Sequence, residues 1–290
     1  LPTGDVPREN QFVRGQRVRH TWALTIAYSG CHFSGYAWQK DAPKPTVAGC
    51  LQDAIEPLLH GEHSLRLACA GRTDAGVSAL AQRVSFWCWP ELDAQAIASA
   101  VAAAAPQPGA LRVLSAAHSL DKTYHATFAT TWRRYAYLLP PMPGASREEV
   151  EAEARDMDGM LSALAGAPRD YAALARGVPK GKDTTTTLFH ASARVVSIGG
   201  GDGSAAAPAG LATRVDLVGD RFLRRQVRTL VATVAATTSM ALARDREALT
   251  TEVERAERCQ TEPQAAAPAP DGEAEGVSAA PCEAGAPAAS

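Results

Sequence analysis

A chain of 290 residues allows one large domain or two of ordinary size, and 46% hydrophobic with 21% charged residues is a globular composition. No run of about 18 apolar residues occurs, which excludes a transmembrane helix and predicts no membrane partner. The formal net charge of -2 excludes reading nucleic-acid binding from overall charge, so a basic surface would have to be local.

In chain order, residues 1–17 read as an irregular extension. Residues 21–28 (TWALTIAY) alternate as a strand does, and a loop rich in Gly and small residues follows over 29–45. Thr46 is placed to cap a helix reaching His60, with Val47, Leu51, Ile55, Leu58 and Leu59 on one face. Residues 64–70 and 82–89 read as strands flanking the loop GRTDAGVSAL at 71–80. An Ala-rich helix over 93–105 stops at Pro106, and strands are predicted at 111–118 and 127–139. Pro140, Pro141, Pro143 and Gly144 mark a boundary. Beyond it come a helix at 147–166, a strand at 188–198, a loop at 199–210, its partner strand at 211–218 and an apolar-rich helix at 222–243. From Gln260 the chain is low-complexity Ala, Pro, Gly and Glu. These segments predict an α+β fold: two hairpin-rich halves, 18–140 and 141–259, share a continuous, mostly antiparallel sheet with helices, and the cleft lies between them. A tail at 260–290 completes the division.

Charge is unevenly placed. Residues 220–228 (DRFLRRQVR) hold four arginines against one Asp, while the tail from Glu252 is acidic. Of the six cysteines none forms a C-x-x-C pair, which argues against zinc, and the first four read as buried reduced thiols. Four arginines within 8–20, diluted by Asp5 and Glu9, leave both a cytoplasmic and an organellar address open.

The segment that carries chemistry is Ala70-Gly71-Arg72-Thr73-Asp74-Ala75-Gly76-Val77. Its glycines allow a tight turn and close approach by a ligand. An arginine near a carboxylate favours the ionised form, which can act as nucleophile or base. On its residues alone the segment also fits a turn with a solvated ion pair. Tyr135, likewise, fits a core aromatic, and Arg224, Arg225 and Arg228 fit a solvated helix face, with Arg224 and Arg228 four residues apart. With Lys122, Arg133 and Arg134 those arginines could instead form a basic track for phosphates. His125 reads as structural or a phosphate contact, His190 as a surface strand residue, and Trp38, Trp87 and Trp89 as core.

GRTDAGV followed by a strand resembles the signature of TruA-type pseudouridine synthases. Three further segments match in the same order. YSGCHFSGYAWQ at 28–39 is similar to the family's opening Tyr-x-Gly-x-x-Tyr/Phe-x-Gly-Trp-Gln. YHATFATTWRRYAY at 124–137 is similar to Phe-His-Ala-Arg-Phe-x-Ala-x-x-Arg-x-Tyr-x-Tyr. FLRRQVRTLV at 222–231 is similar to Phe-Leu-x-x-x-Val-Arg-x-Ile-Val. The resemblance spans about residues 18 to 250. It implies that Asp74 is the catalytic aspartate, Arg72 fills the gap left by the extruded base, Tyr135 packs on the target uracil and Arg228 pairs with Asp74 from the second half. It implies uridine isomerisation in structured RNA, without cofactor or metal, on a base flipped out of its stem. The tRNA anticodon stem-loop is the favoured substrate, with ribosomal RNA open. A homodimer is the family habit. An inactive RNA-binding relative, such as an assembly factor in a ribonucleoprotein particle, is the second reading. Ser78, Thr127 and Thr229 depart from the family's His, Arg and Asn, and Ala232 from its Gly.

Overall fold

The computed structural model describes residues 18–61, 63–198 and 210–239, all within one compact unit. The predicted extension at 1–17, the loop at 199–209 and everything from Met240 onward lie outside the described residues.

Two four-stranded antiparallel sheets form the framework. In the first, the order is β2 (Ala68–Cys69), β3 (Ala79–Cys88), β1 (His20–Tyr28), β4 (Leu111–Ser119). In the second it is β5 (Arg133–Leu139), β8 (Gly210–Gly219), β7 (Thr185–Ile198), β6 (Pro168–Asp170). The α+β, antiparallel architecture is as expected. The strand ladders, however, are two sheets and not one, because β2 and β5 are both edges and meet through side chains.

Each half buries its own core. Leu24 and Ile26 on β1 and Val84 on β3 are fully buried with Leu51 and Ile55 of α1 (Val47–Ile55) and Ile97 and Val101 of α2 (Ala94–Ala103). In the second half Val215 and Leu217 of β8 pack with Met157 and Leu161 of α4 (Arg147–Ser162) and with Leu230, Val231 and Val234 of α5 (residues 226–239). Side chains of this size contribute roughly 1.5–3 kcal/mol each when fully buried.

Local rules explain the element ends. Thr46 accepts from Gly49 N–H at 3.1 Å, as its place before α1 predicts. Pro57 then turns the expected helix to His60 into a 3-10 turn, Glu56–Leu59, closed by His60 at φ 51°. The expected strand 127–139 is instead a short helix α3 (Ala126–Ala129) followed by β5. Ala126 is buried and bound through its N–H to Ser85 Oγ at 2.9 Å, which turns the chain before it can extend. The predicted strand 64–70 pairs only at Ala68 and Cys69, and β7 starts at Thr185, three residues early, to pair with β6, which periodicity did not reveal.

The last helix starts at 226 and not 222. Arg225 takes a left-handed conformation (φ 64°), and Gln226 Oε1 accepts from Leu223 N–H at 2.7 Å. Arg224 therefore precedes α5 and does not share a helical face with Arg228. Two smaller readings change as well. Cys31 is exposed while Cys50, Cys69 and Cys88 are buried, and Trp38 is 65% exposed, apart from the Trp87–Trp89 edge contact at 5.3 Å.

Candidate active site

The site grows from the loop that leaves β2. Ala70 still donates its N–H to Arg83 O at 2.9 Å, and the Gly71 carbonyl accepts the side-chain amide of Gln82. Thr73 is held from both ends: its carbonyl accepts from Tyr36 N–H at 3.0 Å and its Oγ1 lies 2.8 Å from Tyr28 Oη. Val77 N–H returns to Asp74 O at 3.2 Å, closing a turn in which Gly76 sits at φ 80°. Asp74 is thus carried on a short, braced loop at the edge of the first sheet.

Two glycines from the 29–45 loop wedge against this turn. A Cβ on Gly30 would lie 2.3 Å from the Val77 carbonyl carbon, a distance backbone cannot yield to cheaply. Gly35, at φ 102°, would place one 3.0 Å from Thr73 O. Gly30 N–H donates to Ser78 Oγ at 2.9 Å, so Ser78, which stands where a family histidine is expected, clasps the same loop.

The second half supplies the countercharge. Arg228, on the first turns of α5, places Nε 3.5 Å from Asp74 Oδ2 and donates from a terminal nitrogen to Ala75 O at 3.3 Å. Both side chains are about half exposed, 48% and 51%, so the carboxylate is open to solvent. An ion pair this open contributes only about 0.2–1 kcal/mol to stability, so its value lies in orienting the carboxylate. Among the described residues Arg228, and not Arg72, is the cation within ion-pair distance of Asp74.

Tyr135 stands beside the pair. Its ring meets Phe222 edge-on at 5.0 Å, and its hydroxyl is close to the position a Gly71 Cβ would take, 3.7 Å. Burial pushes its phenol above the ordinary value, opposed by Arg133 and aided by Asp74. Burial likewise pushes Tyr28 up to about 12.

The other arginines fall into three settings. Arg72, Arg224 and Arg225 are exposed, as is Lys122. Arg134, next to Arg133 on β5, points to the opposite sheet face and donates to Asp216 Oδ1 at 2.9 Å. Arg214 and Arg194 complete that cluster at 2.9 and 3.9 Å from Asp216 Oδ2. Burial of Asp216 works against its charge, yet the bonds from Arg214 and Arg134 outweigh it and hold the carboxyl below its usual range. Arg133 turns into the seam between the sheets and spends its guanidinium on main-chain carbonyls: Ala70 at 2.8 Å, Asp220 at 2.6 Å and Thr127 at 3.5 Å. A single basic track through Lys122, Arg133 and Arg134 is therefore not assembled. Sequence reasoning missed Tyr28, Gln82, Asp216 and Asp220, whose bonds include ones to residues far away in the chain. Among the described residues no group of three or more His, Cys, Asp or Glu is placed to hold a metal.

A scan against models of known protein families returns no match. Among curated proteins the chain is 31% identical over 222 residues to tRNA pseudouridine synthase A of Neisseria gonorrhoeae, covering 73% of this chain and 76% of that one. The chain belongs to the tRNA pseudouridine synthase A family. The protein of that name from Methylobacillus flagellatus is 30% identical over 220 residues, 72% and 75% of the two chains. That from Chloroflexus aurantiacus is 31% identical over 176 residues, 58% and 61%. In this family setting, the four sequence segments that resemble TruA proteins supply the loop glycines, Asp74, Tyr135 and Arg228 to one location.

Proposed function

We propose that this family member is an isomerase that converts uridine to pseudouridine in tRNA, with Asp74, Tyr135 and Arg228 as its catalytic group and the anticodon stem-loop as its target. The observation that carries the reading is the approach of Arg228 to Asp74 at 3.5 Å from the other half of the fold. The reaction breaks the N1–C1′ bond, rotates the uracil and joins C5 to C1′. C5 loses a proton and N1 gains one, so nothing is oxidised and nothing leaves. A single carboxylate suffices, either attacking C1′ or stabilising and deprotonating the sugar. Its half-exposed position suits a base delivered from outside, and flipping that base costs a few kcal/mol. Stacking on Tyr135 and insertion of Arg72 into the vacated stack would offset that cost. Arg224, Arg225 and Lys122, all exposed, are the phosphate contacts, while Arg133 and Arg134 donate to protein acceptors.

The test is pseudouridine formation on purified tRNA transcripts, mapped by sequencing. Turnover by the unaltered protein and none by Asp74→Asn supports the reading. RNA binding without turnover by the unaltered protein would identify an inactive relative instead.

A further inference from the structure

We propose that Arg133 is a positioning residue that locks the two halves of the catalytic pair in register. The inference rests on the synthase reading above for its kinetic consequences, but its geometry stands apart from it. One guanidinium reaches three separate segments. Ala70 O follows directly on β2, at the entry to the Asp74 loop. Asp220 O lies between β8 and α5, six residues ahead of the start of the helix that carries Arg228. Thr127 O belongs to α3, whose own Thr127 Oγ1 donates to Cys69 O at 2.7 Å. The bond from Nε and the bond from one terminal nitrogen therefore run from the end of β5 to opposite sides of the seam. No strand ladder crosses that seam, since β2 and β5 are both sheet edges. Side-chain bonds must do what hydrogen-bonded strands do elsewhere.

The chemistry of the side chain fits the task. A guanidinium is a planar fork with five donors and keeps its charge at all working pH. It can bond three carbonyls in different directions at once. A lysine ammonium is a point donor on a flexible stem and cannot span them. Charge-assisted bonds of this length are roughly twice as strong as neutral ones. The neighbouring Arg134 cannot substitute, because strand alternation sends it to the other face. Arg133 itself touches neither the carboxylate of Asp74 nor any atom that would react. Its effect is on where Asp74 and Arg228 sit, and a misplacement of about 1 Å can cost a hundredfold in rate.

The experiment compares Arg133→Ala and Arg133→Lys with the unaltered full chain. In each, kcat and KM are measured on tRNA, affinity is measured against salt, and amide hydrogen exchange is measured without RNA. We expect kcat to fall about a hundredfold in both variants, KM to change by less than threefold, and the salt slope to stay the same. We expect exchange to quicken over 71–77 and over 221–226 together, while the buried strands β1 and β8 stay protected. Arg133→Lys keeps the charge and the fold, so its failure to restore kcat separates positioning from charge and from folding. A lysine variant with full kcat would overturn the proposal. So would a salt slope lowered by about one with kcat intact, which makes Arg133 a phosphate contact. Unchanged exchange over both segments would overturn it even if the unaltered protein turned out to lack turnover.

Discussion

At the residue scale the Asp74 loop depends on what cannot be added to it as much as on what it carries. Gly35→Ala would force a side chain into the left-handed region, at about 1–2 kcal/mol, and press it on Thr73 O. Stability should fall by about that amount while turnover falls by more, because the displaced group is the residue before Asp74. Thermal unfolding and single-turnover rates on one sample check this, and equal losses would argue that the loop tolerates the shift. Arg228→Ala and Arg224→Ala should part company for a similar reason. The first removes the partner 3.5 Å from Asp74 and should lower kcat with little change in salt dependence. The second lies before α5 and should lower the slope of log affinity against log salt by about one, with kcat intact. A common phenotype would mean that both are phosphate contacts.

At the element scale the segments around the site hold phenols in the neutral form. Burial raises Tyr28 to about 12 and also raises Tyr36 and Tyr135. A raised pKa in the folded state means stability that is complete below the ordinary tyrosine value near 10 and is lost as pH climbs from there towards 12. Alkaline unfolding should therefore set in above about pH 10, and Tyr28→Phe should delay it. Asp216 runs the other way. With its carboxyl held below the usual range, the stability it gives β5, β7 and β8 is complete above about pH 4 and is lost on further acidification. Asp216→Asn should flatten the acid limb of the stability profile and leave the alkaline limb alone. Leu217, 1% exposed and opposite Tyr135 in the β5–β8 register, gives the packing counterpart. Leu217→Ala should cost about 2–5 kcal/mol, read by denaturant unfolding.

For the whole molecule, what could be read in advance follows the range of the interaction. β1, α1, α2, α4 and β8 announce themselves by periodicity or caps, because those signals are local. The Asp74 loop was legible through its resemblance to relatives, and so was Arg228. The short helix at Ala126–Ala129 was not, since its cause is Ser85, forty-one residues away. Nor was the division into two sheets, because adjacency of β2 and β5 is a property of packing. The seam role of Arg133 was hidden for the same reason: Arg133 and Arg134 are identical in type, and only the facing direction of β5 tells them apart.

The three acceptors of Arg133 are all main-chain oxygens. A carbonyl is present whatever side chain its residue bears, so this contact is blind to substitution on one side and exacting on the other. In a saturation scan, positions 70, 127 and 220 would be free of any demand from this contact, while position 133 would admit arginine alone. That asymmetry lets a threonine occupy position 127, where relatives are expected to carry arginine, without loosening the join. Side chains around the Asp74 loop can thus change while one residue, Arg133, keeps this contact.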